Sequence, residues 1–147
     1  MAATISLATP AHAEELTAAL ERLVPQLSRS NPPPPLEQVA EMLASPAISQ
    51  FLARADDGTI VGVSTLAVFR IPTGLRAWIE DVITDEAARG QGVGEALTVA
   101  MCDRARELGC VTVDLTSRPS REAANRLYRR VGFEQRETNV YRFELDA

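Results

Sequence analysis

The spacing of apolar residues predicts that the chain opens with a short strand and two helices. Residues 5–7 fit the strand, and Thr9 followed by Pro10 is typical of a helix start. The first helix carries leucines at helical spacing on one face: Leu16, Leu20, Leu23 and Leu27. The run SRSNPPPP ends this helix, because consecutive prolines cannot continue it, and a second short helix is predicted over 36–43.

From residue 48 the pattern becomes extended and predicts three strands in succession. ISQFLARA and IVGVSTLAVF flank the turn DDGT, which indicates a hairpin around Asp57 and Gly58. The turn IPTG then separates the second strand from a third, LRAWIEDVIT. In this third strand, alternation puts Glu80 with Trp78 on one face and Asp81 with Ile79 and Ile83 on the other, unless a bulge intervenes.

In the remainder of the chain, helices and strands alternate. A glycine-rich loop opens a helix that stops at Gly109 and has this apolar stripe: Val93, Ala96, Leu97, Ala100, Met101, Ala105 and Leu108. VTVDLT is the next strand, and a helix over 121–130 follows with Ser120 as N-cap. GFEQRETNVYRFEL is predicted to form a closing hairpin around Thr138 and Asn139. This order indicates an α/β protein with a mixed sheet and helices on its faces.

Length and charge narrow the class of protein. The chain has 147 residues and no internal repeat, so one domain over 1–147 is expected. No apolar stretch approaches the roughly 20 residues that cross a bilayer, and the start lacks the features of a signal peptide. We therefore expect a soluble, cytoplasmic protein without a membrane partner. The formal net charge of −5 argues against nucleic acid as a partner and weakly favours a cationic small molecule.

Cysteine and histidine are too sparse to indicate a metal site. Cys102 and Cys110 form no CxxC pair and have no histidine nearby, so buried free thiols are expected. The single histidine, His12, is isolated near the amino terminus and does not suggest a nucleophile with its base. Neither metal chemistry nor a covalent enzyme intermediate is predicted.

The loop RGQGVG, residues 89–94, is the strongest local signal in the sequence. A P-loop needs a lysine, which the chain lacks, and the dinucleotide pattern GxGxxG would need glycine where Glu95 or Leu97 stands. The loop opens a helix, and unpaired amides at a helix amino terminus bind phosphate oxygens. The sequence therefore predicts a phosphate-binding loop, with a closely packed glycine turn as the alternative.

Four segments in order carry a resemblance to the GCN5-related N-acetyltransferase (GNAT) family: IEDVIT, RGQGVG, VTVDLTS and REAANRLYRRVGF. The resemblance covers about 48–145, and the first 45 residues match only in general layout. It implies a single domain with a largely antiparallel, twisted sheet, and transfer of an acetyl group from acetyl-CoA to an amine. It also implies that acetyl-CoA is held by the backbone of the third long strand and by the loop: Val82, Ile83, Thr84, Arg89, Gly90, Gln91, Gly92, Val93 and Gly94. A bulge in IEDVIT, which admits the pantetheine arm, is implied as well.

Two residues are candidates for proton transfer. Alkyl amines have pKa values near about 10, so an acceptor must lose a proton before it attacks. Glu80 stands where related enzymes often place a substrate-facing carboxylate, and we expect it to act as base or amine anchor; a solvated strand carboxylate is the alternative. Tyr128 matches the tyrosine that many family members use as the acid toward sulfur, whereas its place in an apolar stripe also suits a core residue.

Several further residues have weaker candidate roles. Asn125 could bind the pantetheine arm or simply cap the helix. Arg118 and Arg121 could meet a cofactor phosphate or an anionic acceptor, and Arg129 and Arg130 could approach the 3′-phosphate or remain solvated. Two aromatic residues are predicted to lie in the core, one of which also shares the face of Glu80 and could line the acceptor pocket: Phe69 and Trp78.

Two functions remain open on the sequence. The first is an N-acetyltransferase in which a primary amine attacks acetyl-CoA directly in a ternary complex. The second is a non-catalytic acyl-CoA-binding or regulatory module. The acceptor could be a small amine, an amino acid, an antibiotic or a protein amino terminus. The segment NVYRFEL could also pair across a homodimer, as happens in the resembling family, and the sequence does not decide this.

Overall fold

The structure, a computed structural model, describes residues 3–146 as five strands and four helices around one sheet. The strands are β1 (Thr4–Leu7), β2 (Ile48–Arg54), β3 (Ile60–Ile71), β4 (Gly74–Thr84) and β5 (Thr112–Asp114). The helices are α1 (Ala13–Leu27), α2 (Leu36–Ala44), α3 (Val93–Glu107) and α4 (Glu122–Val131). Short 3-10 turns over Pro10–His12 and Glu86–Ala88 precede α1 and α3.

The sheet confirms the predicted fold class. Its strand order is β1-β2-β3-β4-β5, with antiparallel neighbours except for the parallel pair β4 and β5. The β2–β3 hairpin turns where the sequence predicts it, because Gly58 takes a left-handed φ of 88° that other residues rarely adopt. The helix α3 connects β4 to the parallel β5, as parallel neighbours require.

The sheet separates two apolar cores. Helices α1 and α2 cover one face, where leucines of α1 pack with Leu52, Val63 and Ile83 of the sheet. Helix α3 covers the other face, where Leu97 and Met101 pack with residues of β2, β3 and β4. Three of the four predicted leucines of α1 are buried, whereas Leu27 is partly exposed. Phe69, predicted to be core, is also largely exposed, because it lies near the end of the β3–β4 ribbon.

A β-bulge interrupts β4 at the point where the resemblance implies one. The pairing with β3 passes from Thr65–Glu80 to Val63–Ile83, which is two residues along β3 but three along β4. Strand β4 therefore contains one extra residue at this point. Asp81 takes a φ of 47° and absorbs this extra residue. The bulge reverses the alternation: Ile79 packs in the core under α3, whereas Ile83 packs in the core under α1. Strict alternation would have put both isoleucines on one face.

Helix α1 also holds the segment that leaves β4. The guanidinium of Arg22 donates to the carboxylate of Asp85 and, at 2.9 Å, to the carbonyl of Ile60. One turn later, the side-chain oxygen of Gln26 accepts a 2.9 Å hydrogen bond from the amide of Glu86. These bonds fix the chain just before the glycine-rich loop.

The predicted closing hairpin is wrong. No strand follows β5 in the structure up to residue 146, and residues 134–146 run as an exposed segment. A two-residue hairpin loop usually needs left-handed φ values, which asparagine-glycine supplies most readily. Here the loop would be Thr138–Asn139 without glycine, and Asp81 is the one non-glycine residue in the described chain with a positive φ.

Smaller differences concern element ends and single side chains. Strand β5 pairs over three residues rather than six, and Arg121 instead of Ser120 occupies the N-cap of α4. Both cysteines are free, as expected, but each is only partly buried. Within residues 3–146, no helix is long and apolar enough to span a bilayer, and no three His, Cys, Asp or Glu side chains are grouped to hold a metal ion.

Candidate active site

The glycine-rich loop presents free backbone donors at the amino terminus of α3. Across the described part of the chain, none of the six amides from Gly90 to Glu95 donates a hydrogen bond to a backbone or side-chain acceptor. Gly90 and Gly92 take φ values of 79° and 78°, which turn their amides in ways that a residue with a Cβ rarely can. The helix dipole adds partial positive charge at this point. The loop therefore has the donors and the charge of an anion site.

The glycines of the loop differ in what surrounds them. A Cβ on Gly94 would lie 3.3 Å from the Leu127 side chain of α4, so close packing explains that glycine. A Cβ on Gly90 or Gly92 would meet no atom within 4 Å. Packing therefore explains Gly94, whereas the space above Gly90 and Gly92 is open to a ligand.

The other loop residues offer mainly their backbone. Val93 is buried in the core under α3, so only its main chain can reach a ligand. Gln91 is exposed, and the exposed Arg89 guanidinium lies 3.9 Å from the carboxylate of Glu86. Arg89 is thus an exposed cation at the start of the loop.

Strands β4 and β5 separate beside the loop. Their pairing ends at Trp78–Asp114, yet β4 continues to Thr84. The edge of β4 over 79–84 consequently has no strand partner on the β5 side within residues 3–146. Val82, Ile83 and Thr84 lie on this edge, where the two strands diverge.

Glu80 and Tyr128 meet in a small pocket beside this gap. Its volume is about 130 Å³, and it is lined by Leu27, Ile79, Glu80, Asp81, Val82, Leu115, Thr116, Arg121 and Tyr128. The bulge brings two neighbouring carboxylates to the pocket, and α4 brings the phenol. The sequence placed Leu27 only on the apolar face of the first helix, because its place in this pocket depends on where the end of α1 lies relative to the bulge.

The electrostatic setting of Glu80 favours its neutral form. Burial raises the pKa of its carboxyl above the usual value, and the adjacent Asp81 carboxylate raises it further, while the Trp78 side chain acts in the opposite direction. A carboxyl with a raised pKa is a stronger base once ionised. Glu80 is therefore suited to accept a proton from an ammonium group.

Tyr128 is buried against the end of its own helix. Its ring packs edge-to-face on Phe133, with centroids 5.8 Å apart. Burial raises the pKa of the phenol, and the positive charge of Arg121 partly opposes this shift. The phenol stays protonated at neutral pH and can donate its proton. Tyr128 also borders the larger groove between β5, α3 and α4.

The remaining candidate residues are placed as follows. The Asn125 side chain donates a 3.0 Å hydrogen bond to the carbonyl of Arg118, which stabilises the start of α4. Arg130 pairs with Glu95 at 2.6 Å, and Arg129 donates to Gln135 at 3.3 Å. Trp78 lines the larger groove rather than the small pocket. The ring of His12 accepts a 2.8 Å hydrogen bond from the Thr9 amide, far along the chain from the site.

The geometry defines a mixed α/β protein in which a loop of free backbone amides lies next to a small pocket lined by carboxylates and a phenol. Residues 16–133 match the model of the acetyltransferase (GNAT) family. The chain is 32% identical over 109 residues to glucosamine 6-phosphate N-acetyltransferase of Trypanosoma brucei brucei, covering 71% of this chain and 72% of the relative. It is 31% identical over 115 residues to aminoglycoside N(6′)-acetyltransferase type 1 of Stenotrophomonas maltophilia, covering 73% of each.

A solved structure agrees in fold. AAC(6′)-Iy in complex with the bisubstrate analogue CoA-S-monomethyl-acetylneamine superposes with a TM-score of 0.81 at 19% identity, covering 99% of this chain and 100% of that one. The chain belongs to the GNAT family of acetyltransferases, and it is an N-acetyltransferase. The resemblance stated from the sequence is thereby confirmed.

Proposed function

We propose that this N-acetyltransferase, a single domain over 1–147, transfers the acetyl group of acetyl-CoA to the primary amine of a small molecule by direct attack in a ternary complex. The observation that carries the proposal is that the pocket containing Glu80 and Tyr128 lies beside the gap between β4 and β5. The donor and the acceptor amine can therefore meet between a base and an acid.

The free amides fit the diphosphate of acetyl-CoA. The unpaired N–H groups at this helix amino terminus can donate to the oxygens of a diphosphate, and the partial positive charge there complements its negative charge. Arg89 at the rim adds a cation, and the open edge of β4 at Val82, Ile83 and Thr84 offers hydrogen bonds to an extended amide chain. When bound, acetyl-CoA supplies the thioester whose acetyl group is transferred. Because the chain contains no lysine, only arginine side chains and backbone amides are available to balance the negative charge of the phosphates.

Glu80 holds the acceptor amine and removes its proton. An ammonium group near Glu80 and Asp81 gains from both carboxylates, and Glu80 can accept the proton at its side-chain oxygen directly or through water. Tyr128 keeps its phenolic proton through neutral pH because it is buried, and it can give that proton to a departing thiolate. Asn125 positions the loop before α4 and borders the groove beside Tyr128, where we propose that it also contacts the pantetheine arm.

The acceptor we propose is a small, cationic amine. The two relatives named above are acetyltransferases of glucosamine 6-phosphate and of aminoglycosides, both amino sugars. The pocket of this chain contains two carboxylates and one arginine, and the net charge is −5. A cytoplasmic location belongs to the same proposal, and the two free cysteines support it because disulfides form mainly in oxidising compartments.

The test is an assay of free thiol release from acetyl-CoA with a panel of amines. The panel includes aminoglycosides, glucosamine 6-phosphate, amino acids and a peptide with a free amino terminus. We expect release with at least one small amine, together with the mass of its acetylated product. If acetyl-CoA stabilises the protein against heat but no amine on the panel yields thiol, the chain is an acyl-CoA-binding module and the catalytic proposal fails.

A further inference from the structure

Three polar side chains form a row across the sheet on the face that α1 and α2 cover. Gln50 of β2 lies opposite Thr65 of β3, and Thr65 lies opposite Glu80 of β4. Their neighbours Leu66 and Ile79 pack under α3, so strand alternation turns Thr65 and Glu80 towards α1. Directly opposite residues on one face have Cβ atoms about 4.5–5.5 Å apart. The hydroxyl of Thr65 is therefore a close neighbour of the Glu80 carboxyl.

This polar row interrupts an otherwise apolar face. The adjacent row across the same three strands consists of Leu52, Val63 and Ile83, and all three pack in the core under α1. Gln50 is only 3% exposed, so its amide is withdrawn from water. Burial of an amide is unfavourable unless the protein supplies its hydrogen bonds. Such departures from the local pattern are expected at functional sites.

The hydrogen bonds of Gln50 determine the direction of the Thr65 hydroxyl. Nε2 of Gln50 donates to the carbonyl of Ser64 at 3.0 Å and to that of Phe51 at 3.4 Å. Because a carbonyl can only accept, the amide nitrogen points at these two groups and Oε1 points towards Thr65. Oε1 accepts the proton of the Thr65 hydroxyl at 2.7 Å. A hydroxyl has one proton, so the Thr65 oxygen has only lone pairs left to offer.

These lone pairs lie beside two carboxylates. Among residues 3–146, no group donates a hydrogen bond to Oγ1 of Thr65. Glu80, directly across from it, lines the pocket together with Asp81. An oxygen that can only accept, placed next to carboxylates, favours a donor with positive charge and several N–H groups. A primary ammonium group meets both conditions, whereas an acid anion would be repelled.

We propose that Thr65 is a binding residue of the acceptor site, whose hydroxyl oxygen accepts a hydrogen bond from the ammonium group that Glu80 holds. Gln50 is the positioning residue that keeps this oxygen an acceptor. The inference rests on the proposed function and adds the contact that the acceptor makes on β3. The ammonium group donates one N–H to Glu80 and another to Thr65, so two strands fix its nitrogen. Glu80 removes the proton, and Thr65 keeps its own proton on Gln50.

The first experiment compares the steady-state kinetics of Thr65→Val and Thr65→Ser. The probes are the amines that the wild-type chain acetylates in the thiol-release panel, with neamine and glucosamine 6-phosphate among those tried. Valine keeps the shape of threonine without the oxygen, and serine keeps the oxygen. We expect the KM for the amine to rise on the order of tenfold in Thr65→Val, with kcat and the KM for acetyl-CoA nearly unchanged. Thr65→Ser should stay close to the wild-type chain.

The matched control is Thr17→Val. The hydroxyl of Thr17 is also partly buried and donates to a carbonyl, that of Ala13 at 2.7 Å, but it lies in the first half of α1, away from the pocket. If Thr65→Val and Thr17→Val have the same KM for an amine that the wild-type chain acetylates, the inference is overturned and the proposed function stands. If the wild-type chain releases thiol with no amine, the proposed function fails and the inference fails with it.

The second experiment separates binding from stability. Thr65→Val leaves the buried Oε1 of Gln50 without a donor, which should lower the midpoint of urea unfolding. Gln50→Leu/Thr65→Val removes both partners and should recover part of that loss. We expect the double variant to keep the high amine KM of Thr65→Val, because both variants lack the accepting oxygen. A KM that recovers together with stability would show that the pair only supports the sheet, and would overturn the proposal.

The single variant Gln50→Leu tests the positioning role. It leaves the Thr65 oxygen in place and releases its proton, which can then turn towards the Glu80 carboxylate. We expect an amine KM between those of the wild-type chain and Thr65→Val, with the KM for acetyl-CoA nearly unchanged. An amine KM equal to that of the wild-type chain would overturn the role of Gln50.

Discussion

In the proposed mechanism, Tyr128 and Glu80 divide the proton transfers between a buried phenol and a partly covered carboxyl. Their surroundings move both pKa values upward, mainly through burial. For the phenol this keeps the proton available at neutral pH, and for the carboxyl it strengthens the base. The family resemblance suggested both residues from the sequence, and the structure places them around one pocket. The sequence did not identify Leu27, or that Arg121 shares the pocket, because those facts depend on how α1 and α4 are placed around the bulge.

Replacing Tyr128 with phenylalanine keeps the ring and its packing on Phe133 and removes the acid. We expect kcat to fall on the order of 100-fold, as for loss of a general acid, while the affinity for acetyl-CoA stays nearly unchanged. Steady-state kinetics and titration calorimetry measure the two effects. The matched control is Tyr141→Phe, which alters the other tyrosine and keeps its apolar ring. Full activity of Tyr128→Phe would remove the phenol from the chemistry.

Replacing Asp81 with asparagine isolates the effect of charge on Glu80. Asparagine also tolerates the left-handed φ at this position, so the bulge is retained. The raised pKa of Glu80 should fall when the neighbouring negative charge is removed. The base works in its ionised form, so activity rises with pH through that pKa. The acidic limb of the kcat profile should therefore move to lower pH, and a limb that stays or moves upward would contradict the role of Glu80.

At the scale of elements, the turn from β4 into α3 does most to shape the site. Helix α1 fixes the chain before the loop, the bulge turns β4, and the divergence of β4 from β5 opens its edge. The glycine-rich loop and helices α3 and α4 were predictable from the sequence, because glycine spacing and helical periodicity are local signals. The bulge was expected only through the family resemblance, since alternation alone predicts an uninterrupted strand.

A methyl group in the loop should separate ligand binding from folding. Gly92→Ala places a Cβ above the amides and forces alanine into a left-handed φ, and Gly58→Ala creates the same strain in the β2–β3 turn. Both variants should lose about 1–2 kcal/mol of unfolding free energy in urea. Calorimetry with acetyl-CoA should show roughly tenfold or greater weakening for Gly92→Ala only. Equal affinities of the two variants would show that the loop does not hold the donor.

The closing hairpin shows where local signals were insufficient. Residues 140–145 have the alternation of a strand, and that part of the prediction rests on real apolar positions. A strand also needs an edge to pair with, and the predicted turn at Thr138–Asn139 lacks the glycine that a two-residue hairpin loop favours. Which strand a segment pairs with depends on the structure around it. A single sequence gives little direct information on that pairing.

On the scale of the whole molecule, the sheet separates two apolar cores, one on each of its faces. Ile83 belongs to the core under α1, and Leu97 belongs to the core under α3. Ile83→Val should cost about 0.5–1.5 kcal/mol and Leu97→Ala about 2–5 kcal/mol of unfolding free energy. Because the sites lie on opposite faces, the double variant should lose the sum to within about 0.5 kcal/mol in urea unfolding. A larger coupling would mean that the two faces share one core.

The order of elements through α4 was predictable as a whole, because each apolar period differs clearly from its neighbours. The pairing of the strands was harder to predict from the sequence. Which strand pairs in parallel with β4, and where β5 diverges from β4, depend on contacts between segments that are distant along the chain. For the same reason the sequence suggested the residues of the candidate site but not the shape of its pocket. The assay of thiol release with the panel of amines will identify the amine that enters the pocket.

The central claim is that the amides of the loop bind the diphosphate of the acyl donor. The direct measurement is an NMR titration of ¹⁵N-labelled protein with coenzyme A, which reports on each amide separately. We predict that the amides from Gly90 to Glu95 show the largest shifts and saturate together, with smaller shifts at Val82, Ile83 and Thr84. Binding that leaves the loop amides unmoved, or no binding by folded protein, would contradict the account.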